Sequence, residues 1–156
     1  MSISKKTATK KPGNSGSLVI NAQYIKDLSF ENPKAPYTFV HNEKPEIDVS
    51  IDIGAINMQD ETYEVVLGIQ VKSIIANEVQ FLIDLKYAGV FSLEKEEEDK
   101  ERVIFVQCPT IIFPYARKVI SDLTSDGGYL PLFISPIDFH TLYMDNKSKD
   151  MKEKLN

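Results

Sequence analysis

The sequence predicts an α+β fold, a four-stranded antiparallel sheet followed by two helices, with strands and helices segregated along the chain. Three observations carry that prediction. Apolar and polar residues alternate through three successive stretches, the links between those stretches are as short as two residues, and beyond residue 108 the apolar spacing changes from two to three and four.

The first strand, residues 18–30, is the least regular. Ala22, Tyr24, Leu28 and Phe30 alternate with Gln23, Asp27 and Ser29, but Ile25 and Lys26 break the period. Asn32-Pro33 and Ala35-Pro36 then stop regular structure, because each proline lacks a donor and restricts the residue before it. A linking loop follows to about Pro45. In 46–57, Ile47, Val49, Ile51 and Ile53 alternate with Asp48, Ser50 and Asp52. In 61–76, Tyr63, Val65, Leu67, Ile69 and Val71 oppose Glu64, Gln70 and Lys72. In 78–93, Val79, Phe81, Ile83, Leu85, Tyr87 and Phe91 oppose Gln80, Asp84 and Lys86. The links at 57–60 and Ala76-Asn77 belong to antiparallel hairpins. The sheet has one apolar face.

Residues 94–102 are dense in charge and read as a solvated loop or an exposed helical turn. Ile112, Tyr115, Ala116, Val119, Ile120 and Leu123 then fall on one side of a helix. Pro109 and Pro114 suit its entry and first turn, and Gly127-Gly128 ends it. A second helix is expected from Ser135-Pro136, with serine as cap, proline at N1 and Asp138 at N3. Its apolar residues are Phe139, Leu142 and Tyr143, and it is expected to fray from Asp145. The organisation is a disordered extension at 1–17, one domain over 18–144, and a polar flexible tail at 145–156.

Composition narrows the function. The chain has 156 residues, 18 Lys+Arg and 23 Asp+Glu, net −5. Residues 1–17 hold four Lys and no acid, and 145–156 hold four Lys and three acids, so the body carries net −10. A body that acidic repels phosphate backbones, which disfavours nucleic acid as a partner. One Cys and two His, widely spaced, cannot build a zinc site. A lone Cys108 points to a reducing, cytoplasmic compartment, and no run reaches the 18 or so apolar residues of a spanning helix.

No phosphate-binding, dinucleotide-binding, zinc-protease or nucleophile-elbow motif is present, so the reading is a non-enzyme with no cofactor. His41, His140 and Cys108 lack orienting partners in sequence. Asp48 and Asp52 read as a solvated strand face before they read as metal ligands. Two features remain. One is an acidic polar sheet face (Asp27, Glu31, Asp48, Asp52, Glu64 and Asp84 against Lys72 and Lys86), which is either a solubility device or a docking surface for a basic partner. The other is apolar surplus outside the strands, at Tyr37, Phe39 and Val40 and again at Tyr129, Leu130, Leu132, Phe133 and Ile134. Such residues complete the core, drive self-association, or line a groove for apolar segments of another protein.

The string Tyr24-Ile25-Lys26-Asp27-Leu28-Ser29-Phe30-Glu31-Asn32-Pro33-Lys34-Ala35-Pro36 resembles the N-terminal signature of the bacterial SecB protein-export chaperones. So do Tyr63-Glu64-Val65-Val66-Leu67, Cys108-Pro109-Thr110-Ile111-Ile112-Phe113-Pro114-Tyr115-Ala116-Arg117, Gly127-Gly128, and Pro131 through Phe139. The resemblance runs in order from about Val19 to Met144. It implies a homotetramer, a dimer of dimers, whose sheets pair across the dimer and whose long helices pack between dimers. Ile112, Tyr115, Val119 and Leu123 are the helix residues expected at that interface.

The resemblance further implies an ATP-independent holdase. It would bind unfolded secretory precursor proteins in extended apolar grooves and pass them to the SecA motor ATPase, with no insertion into the membrane. Asp27, Glu31, Leu82 and Asp84 fall where the family docks SecA, with aspartate at 84 where familiar members carry glutamate. Phe30, Tyr37, Phe39, Tyr129, Leu132, Phe139 and Tyr143 are the implied linings of a client groove between the linking loop, the sheet and the second helix. The linking-loop Trp of familiar members is absent, and Glu43 stands near its place. Lys147, Lys149, Lys152 and Lys154 of the tail are further implied SecA contacts. The alternatives are an oligomeric interaction protein of the same fold without affinity for unfolded chains, and a small enzyme using Asp84 or His140.

Overall fold

Alternation commits one face of each strand to burial, and four strands take it up: β1 (Val19–Glu31), β2 (Glu46–Gln59), β3 (Thr62–Ile75) and β4 (Glu78–Ser92). The structure, a computed structural model, describes residues 18–40, 42–94 and 99–155. The expectations for 1–17, for His41 and for the Lys154 side chain lie outside the described residues. The strands form one antiparallel sheet in the order β1-β4-β3-β2. Ala76 and Asn77 both take left-handed backbone, φ 50° and 62°, as a two-residue hairpin turn requires. The linking loop between the two edge strands carries a short 3₁₀ turn at Tyr37–Val40.

The inward set of β3 and β4 is the predicted one except for Tyr63 and Val79, which are only half-buried. Val65, Leu67, Ile69, Val71, Phe81, Ile83, Leu85, Tyr87 and Phe91 are all buried. Two strand readings need correction, and a bulge causes each. In β1 the pairing with β4 slips between Ile25 and Asp27, leaving Lys26 unpaired. Ile25, Leu28 and Phe30 therefore share the core side, opposite Tyr87, Leu85 and Ile83, while Tyr24 turns to the other face. The break at Ile25-Lys26 was the sequence trace of that bulge. In β4 the pairing with β3 slips at Gln80, which the alternation predicts to face water. Gln80 is instead 1 % exposed.

Residues 95–98 of the charged stretch lie outside the described residues, and its end forms the helical turn, one of the two expected alternatives. It feeds α1, a continuous helix over Lys100–Asp126. Asp99 caps it, its carboxylate accepting the Arg102 N–H at 3.2 Å. Glu101 and Arg102 stay exposed, Lys100 is half-buried, and Val103 and Ile104 are buried, so the apolar stripe begins more than two turns earlier than the spacing predicts. Pro109 and Pro114 lie inside the helix rather than at its entry. A widened π turn at Val103–Gln107 precedes them, with the Cys108 N–H bonding the Val103 carbonyl. That wider turn relieves the clash a proline ring makes with the carbonyl four residues back.

By length and composition alone, α1 could cross a bilayer. Here its apolar side faces the sheet: Ile104, Cys108, Ile112, Ala116 and Ile120 join the core with β3 and β4. The helix ends at Gly128, φ 93°, with the Tyr129 N–H on the Thr124 carbonyl at 3.0 Å. That is the six-to-one bond of a Schellman close, which needs a residue free to adopt positive φ.

Residues 129–138 form an extended strap, held by Pro131 and Pro136 and by the Leu132 N–H on Thr124 Oγ1 at 3.0 Å. The second helix, α2 (Phe139–Leu155), therefore starts later than predicted. Its cap is Asp138, not Ser135: the Asp138 carboxylate accepts the Thr141 N–H at 3.1 Å and the Thr141 hydroxyl at 2.9 Å. The helix also continues past Asp145, where the apolar stripe ends, through Lys, Met and Glu, which favour helix without packing.

Candidate functional site

Two surfaces emerge on opposite sides of the sheet, and consecutive residues of β4 serve both. Phe81 points to the core side and Leu82 to the outer side, because strand side chains alternate.

On the core side, a groove of about 430 Å³ opens between the linking loop, the ends of β2, β3 and β4, and the strap. Phe39, Phe81, Tyr129 and Leu132 supply apolar lining, together with Ile47 and Ile75, and Glu43 also borders it. The rings form a chain: Phe30 to Phe81 at 6.1 Å, Phe81 to Tyr129 at 4.7 Å, and Tyr129 to Phe39 at 5.5 Å between centroids. Tilted contacts of this kind hold rings in place while leaving one side open to a guest. Leu130, 90 % exposed, extends the apolar surface along the strap.

The groove gathers Phe39, Tyr129 and Leu132 of the predicted linings and has Phe30 behind Phe81. It excludes the other three. Phe139 is 2 % exposed and packs edge-on against Phe113 at 5.8 Å, so it belongs to the core. Tyr37 is 76 % exposed on the loop and does not line the groove. Tyr143 stacks on Phe105 at 6.3 Å beside a separate cavity of about 180 Å³ between β2 and α2. The wall expected from the second helix is provided by the strap, since α2 begins only at Phe139. Sequence reading missed Phe81, Ile47 and Ile75 as linings, counting Phe81 and Ile47 among the inward strand residues and not singling out Ile75. Their positions at strand ends beside the proline-rich loop were the available signal.

On the outer side, the four residues expected to dock a motor protein lie together on β1 and β4. Glu31 stands opposite Leu82, Ser29 opposite Asp84, and Asp27 opposite Lys86. Asp27, Glu31 and Asp84 are exposed and Leu82 is half-buried between them. Gln70 of β3 donates to the Asp84 carboxylate at 3.3 Å. Farther across, the Asp52 carboxylate lies over Gly68, where an added Cβ would come within 2.5 Å of its oxygen. At the far end of this face, Glu64 accepts from the Lys26 ammonium at 2.5 Å and from the Tyr24 hydroxyl. Those two bonds, Lys26 first, hold the Glu64 carboxyl below its ordinary range. Burial, then the Glu64 contact, pushes the Tyr24 phenol up to about 12. That acid is thus internally neutralised, while the Asp27, Glu31 and Asp84 group is left facing water.

The four helix residues expected between protomers divide. Ile112 is 0 % exposed and belongs to the core. Val119 and Leu123 are half-buried against that core, and Tyr115 is exposed, its ring stacked on Tyr87 at 6.5 Å. The spacing that selected them marks the helix side facing the sheet, so it identifies the core before any second copy. Exposed Ile25 and Leu28 of β1, paired with Tyr87 and Leu85, adjoin Tyr115 through its stacking on Tyr87 and form an apolar edge beside the helix.

Nothing among the described residues collects three or more metal-ligating side chains. Cys108 is buried, which pushes its thiol up to about 12, and His140 is exposed on the first turn of α2. The chemistry these surfaces offer is recognition: apolar contact in one, negative charge in the other.

Comparison with known proteins agrees with that character. Residues 11–150 match the family model described as "Preprotein translocase subunit SecB". The Protein-export protein SecB of Rickettsia typhi is 47 % identical over 142 residues, 88 % of this chain and 90 % of its own. That of Paramagnetospirillum magneticum is 42 % identical over 128 residues, 81 % of this chain and 83 % of its own. Among solved structures, the SecB-like chaperone of Mycobacterium tuberculosis, in complex with a ChAD peptide from the HigA1 antitoxin, superposes with a TM-score of 0.65. It is 14 % identical and covers 77 % of this chain and 90 % of its own, a likeness of fold.

Proposed function

The chain belongs to the SecB family of protein-export chaperones, and from that premise we propose that it is an ATP-independent holdase that delivers secretory precursors to SecA in the cytoplasm. The observation that carries this reading is the back-to-back arrangement on β4, with Phe81 in an aromatic groove and Leu82 and Asp84 on an open acidic face. An apolar groove favours chains that still expose apolar segments, because folded proteins have few such segments to offer. Many modest contacts along one chain raise its affinity without any deep pocket. A client in the groove leaves the opposite sheet face free, so both partners can be held at once. Asp27, Glu31, Leu82 and Asp84 are the proposed SecA contacts, and Phe39, Phe81, Tyr129 and Leu132 the proposed client contacts. The exposed lysines Lys147, Lys149 and Lys152 on α2 are proposed as secondary SecA contacts.

Assembly as a dimer of dimers belongs to the same proposal, supported by the apolar edge of Ile25, Leu28 and Tyr115. Light scattering tests both parts. The expected mass is about 71 kDa, four times 17.7 kDa, rising when an unfolded precursor is added and unchanged by the same protein folded. A 71 kDa species indifferent to the unfolded precursor would instead identify a passive oligomer.

A further inference from the structure

The groove is closed at its back by hydrogen bonds among segments far apart in sequence. Asn32 and Thr38 come from the linking loop, Gln80 from the bulge in β4, and Tyr129 from the strap. The Tyr129 hydroxyl lies 2.6 Å from Asn32 Oδ1, 3.3 Å from Thr38 Oγ1 and 3.3 Å from the Gln80 carbonyl oxygen. The protons can be assigned. Asn32 Nδ2 donates to the Gly127 carbonyl at 3.1 Å and Gln80 Nε2 to the Glu78 carbonyl at 3.1 Å, which fixes both amides. Thr38 donates to Gln80 Oε1. The single phenol proton therefore goes to Asn32 Oδ1, the nearest acceptor, and among the described residues no other side chain donates to that oxygen. Thr38 and Gln80 are buried, whereas Phe39, the next residue along, is the exposed outer wall of the groove.

We infer that Tyr129 is the positioning residue of the groove: its hydroxyl latches the linking loop to the strap and so fixes the gap between the Phe39 and Phe81 rings into which an apolar side chain inserts. The inference rests on the holdase reading for what enters the gap, and on geometry alone for the latch. A ring without the hydroxyl keeps every aromatic contact but removes one of the bonds holding the loop, leaving Asn32 on the Gly127 carbonyl and Thr38 on Gln80 as the remaining ties, so the loop opens more often. Phe39 then moves independently of Phe81, and a bound segment leaves sooner.

Tyr129→Phe tests this in the full chain, against Asp138→Ala as a variant that weakens a helix cap away from the loop. Two quantities are read: amide hydrogen exchange at Thr38 and Phe39, whose N–H groups bond the Lys34 and Pro36 carbonyls, and the dissociation rate of reduced, carboxymethylated α-lactalbumin as a permanently unfolded probe. Tyr129→Phe is expected to speed both about fivefold to tenfold, the range for one lost hydrogen bond, and Asp138→Ala neither. Unchanged exchange in Tyr129→Phe overturns the latch. Faster exchange with unchanged probe dissociation overturns the positioning role, and so does equal acceleration in both variants. A wild-type protein that never binds the probe overturns the holdase reading and the client half of this inference, while exchange still decides the latch.

Discussion

The Asp84 carboxylate sits on the open sheet face beside Leu82, across from Ser29, with Glu31 and Asp27 along the neighbouring strand. A basic partner meeting three such charges around one half-buried leucine gains encounter rate and register more than raw affinity. Charge reversal by Asp84→Lys or Asp27→Lys is expected to weaken SecA binding about tenfold, since exposed charge contacts are worth roughly 1 kcal/mol each. Binding of an unfolded client, on the opposite face, should stay within about twofold. Titrating each partner separately by calorimetry checks this, and equal loss of both would refute separate surfaces.

At the scale of the element, α1 and α2 depend on different forces. α1 is fixed by burial. Ile112→Ala is expected to cost about 2–5 kcal/mol, the range for truncating a fully buried aliphatic side chain, and to lower Tm by roughly 3 °C per kcal/mol. Tyr115→Ala, on the exposed part of the same helix, should leave the fold in place and shift the assembly state instead. Thermal melts and light scattering on the two variants separate the roles. α2 is set by its cap. Bonds from the Thr141 N–H and hydroxyl hold the Asp138 carboxyl below its usual range. A depressed pKa contributes stability that is complete above the unfolded value near 4 and is lost as pH falls through the folded value. Helicity of α2 should therefore decline as pH is lowered from about 5 toward 2, and Asp138→Asn should flatten that decline. Circular dichroism against pH reads it.

Over the whole molecule, charge and apolar surface are partitioned by the sheet itself, which divides solvent-facing acids from the packed side carrying core, helices and groove. Salt should therefore act unequally. Raising ionic strength from about 0.1 M to 1 M shortens the screening length from about 10 Å to 3 Å, so SecA affinity should fall steeply while client affinity holds or rises. A salt series giving the reverse order would contradict that assignment of partners to faces. The partition also explains how much of the candidate site was legible. The acidic group was readable because Asp27, Glu31 and Asp84 follow strand parity once each strand is recognised. The groove was legible only in part: Phe39, Tyr129 and Leu132 stood out as surplus, whereas Phe81 looked like any core residue and Phe139 like any lining.

By itself the sequence determined the strands, most of their inward faces away from the bulges, and the α+β order, because alternation and helical spacing are local consequences of backbone geometry. It also determined the family, through long strings in unbroken order. Only the tertiary structure decided the strand order, the bulges at Lys26 and Gln80, the passage of α1 through two prolines, and which aromatics face a groove rather than a core. Each of those depends on what lies across from a residue, and a partner 40 or 90 positions away leaves no mark on local pattern. Tyr129 shows the difference: its neighbours in sequence are a glycine and a leucine, and its neighbours in space are Asn32, Thr38 and Gln80.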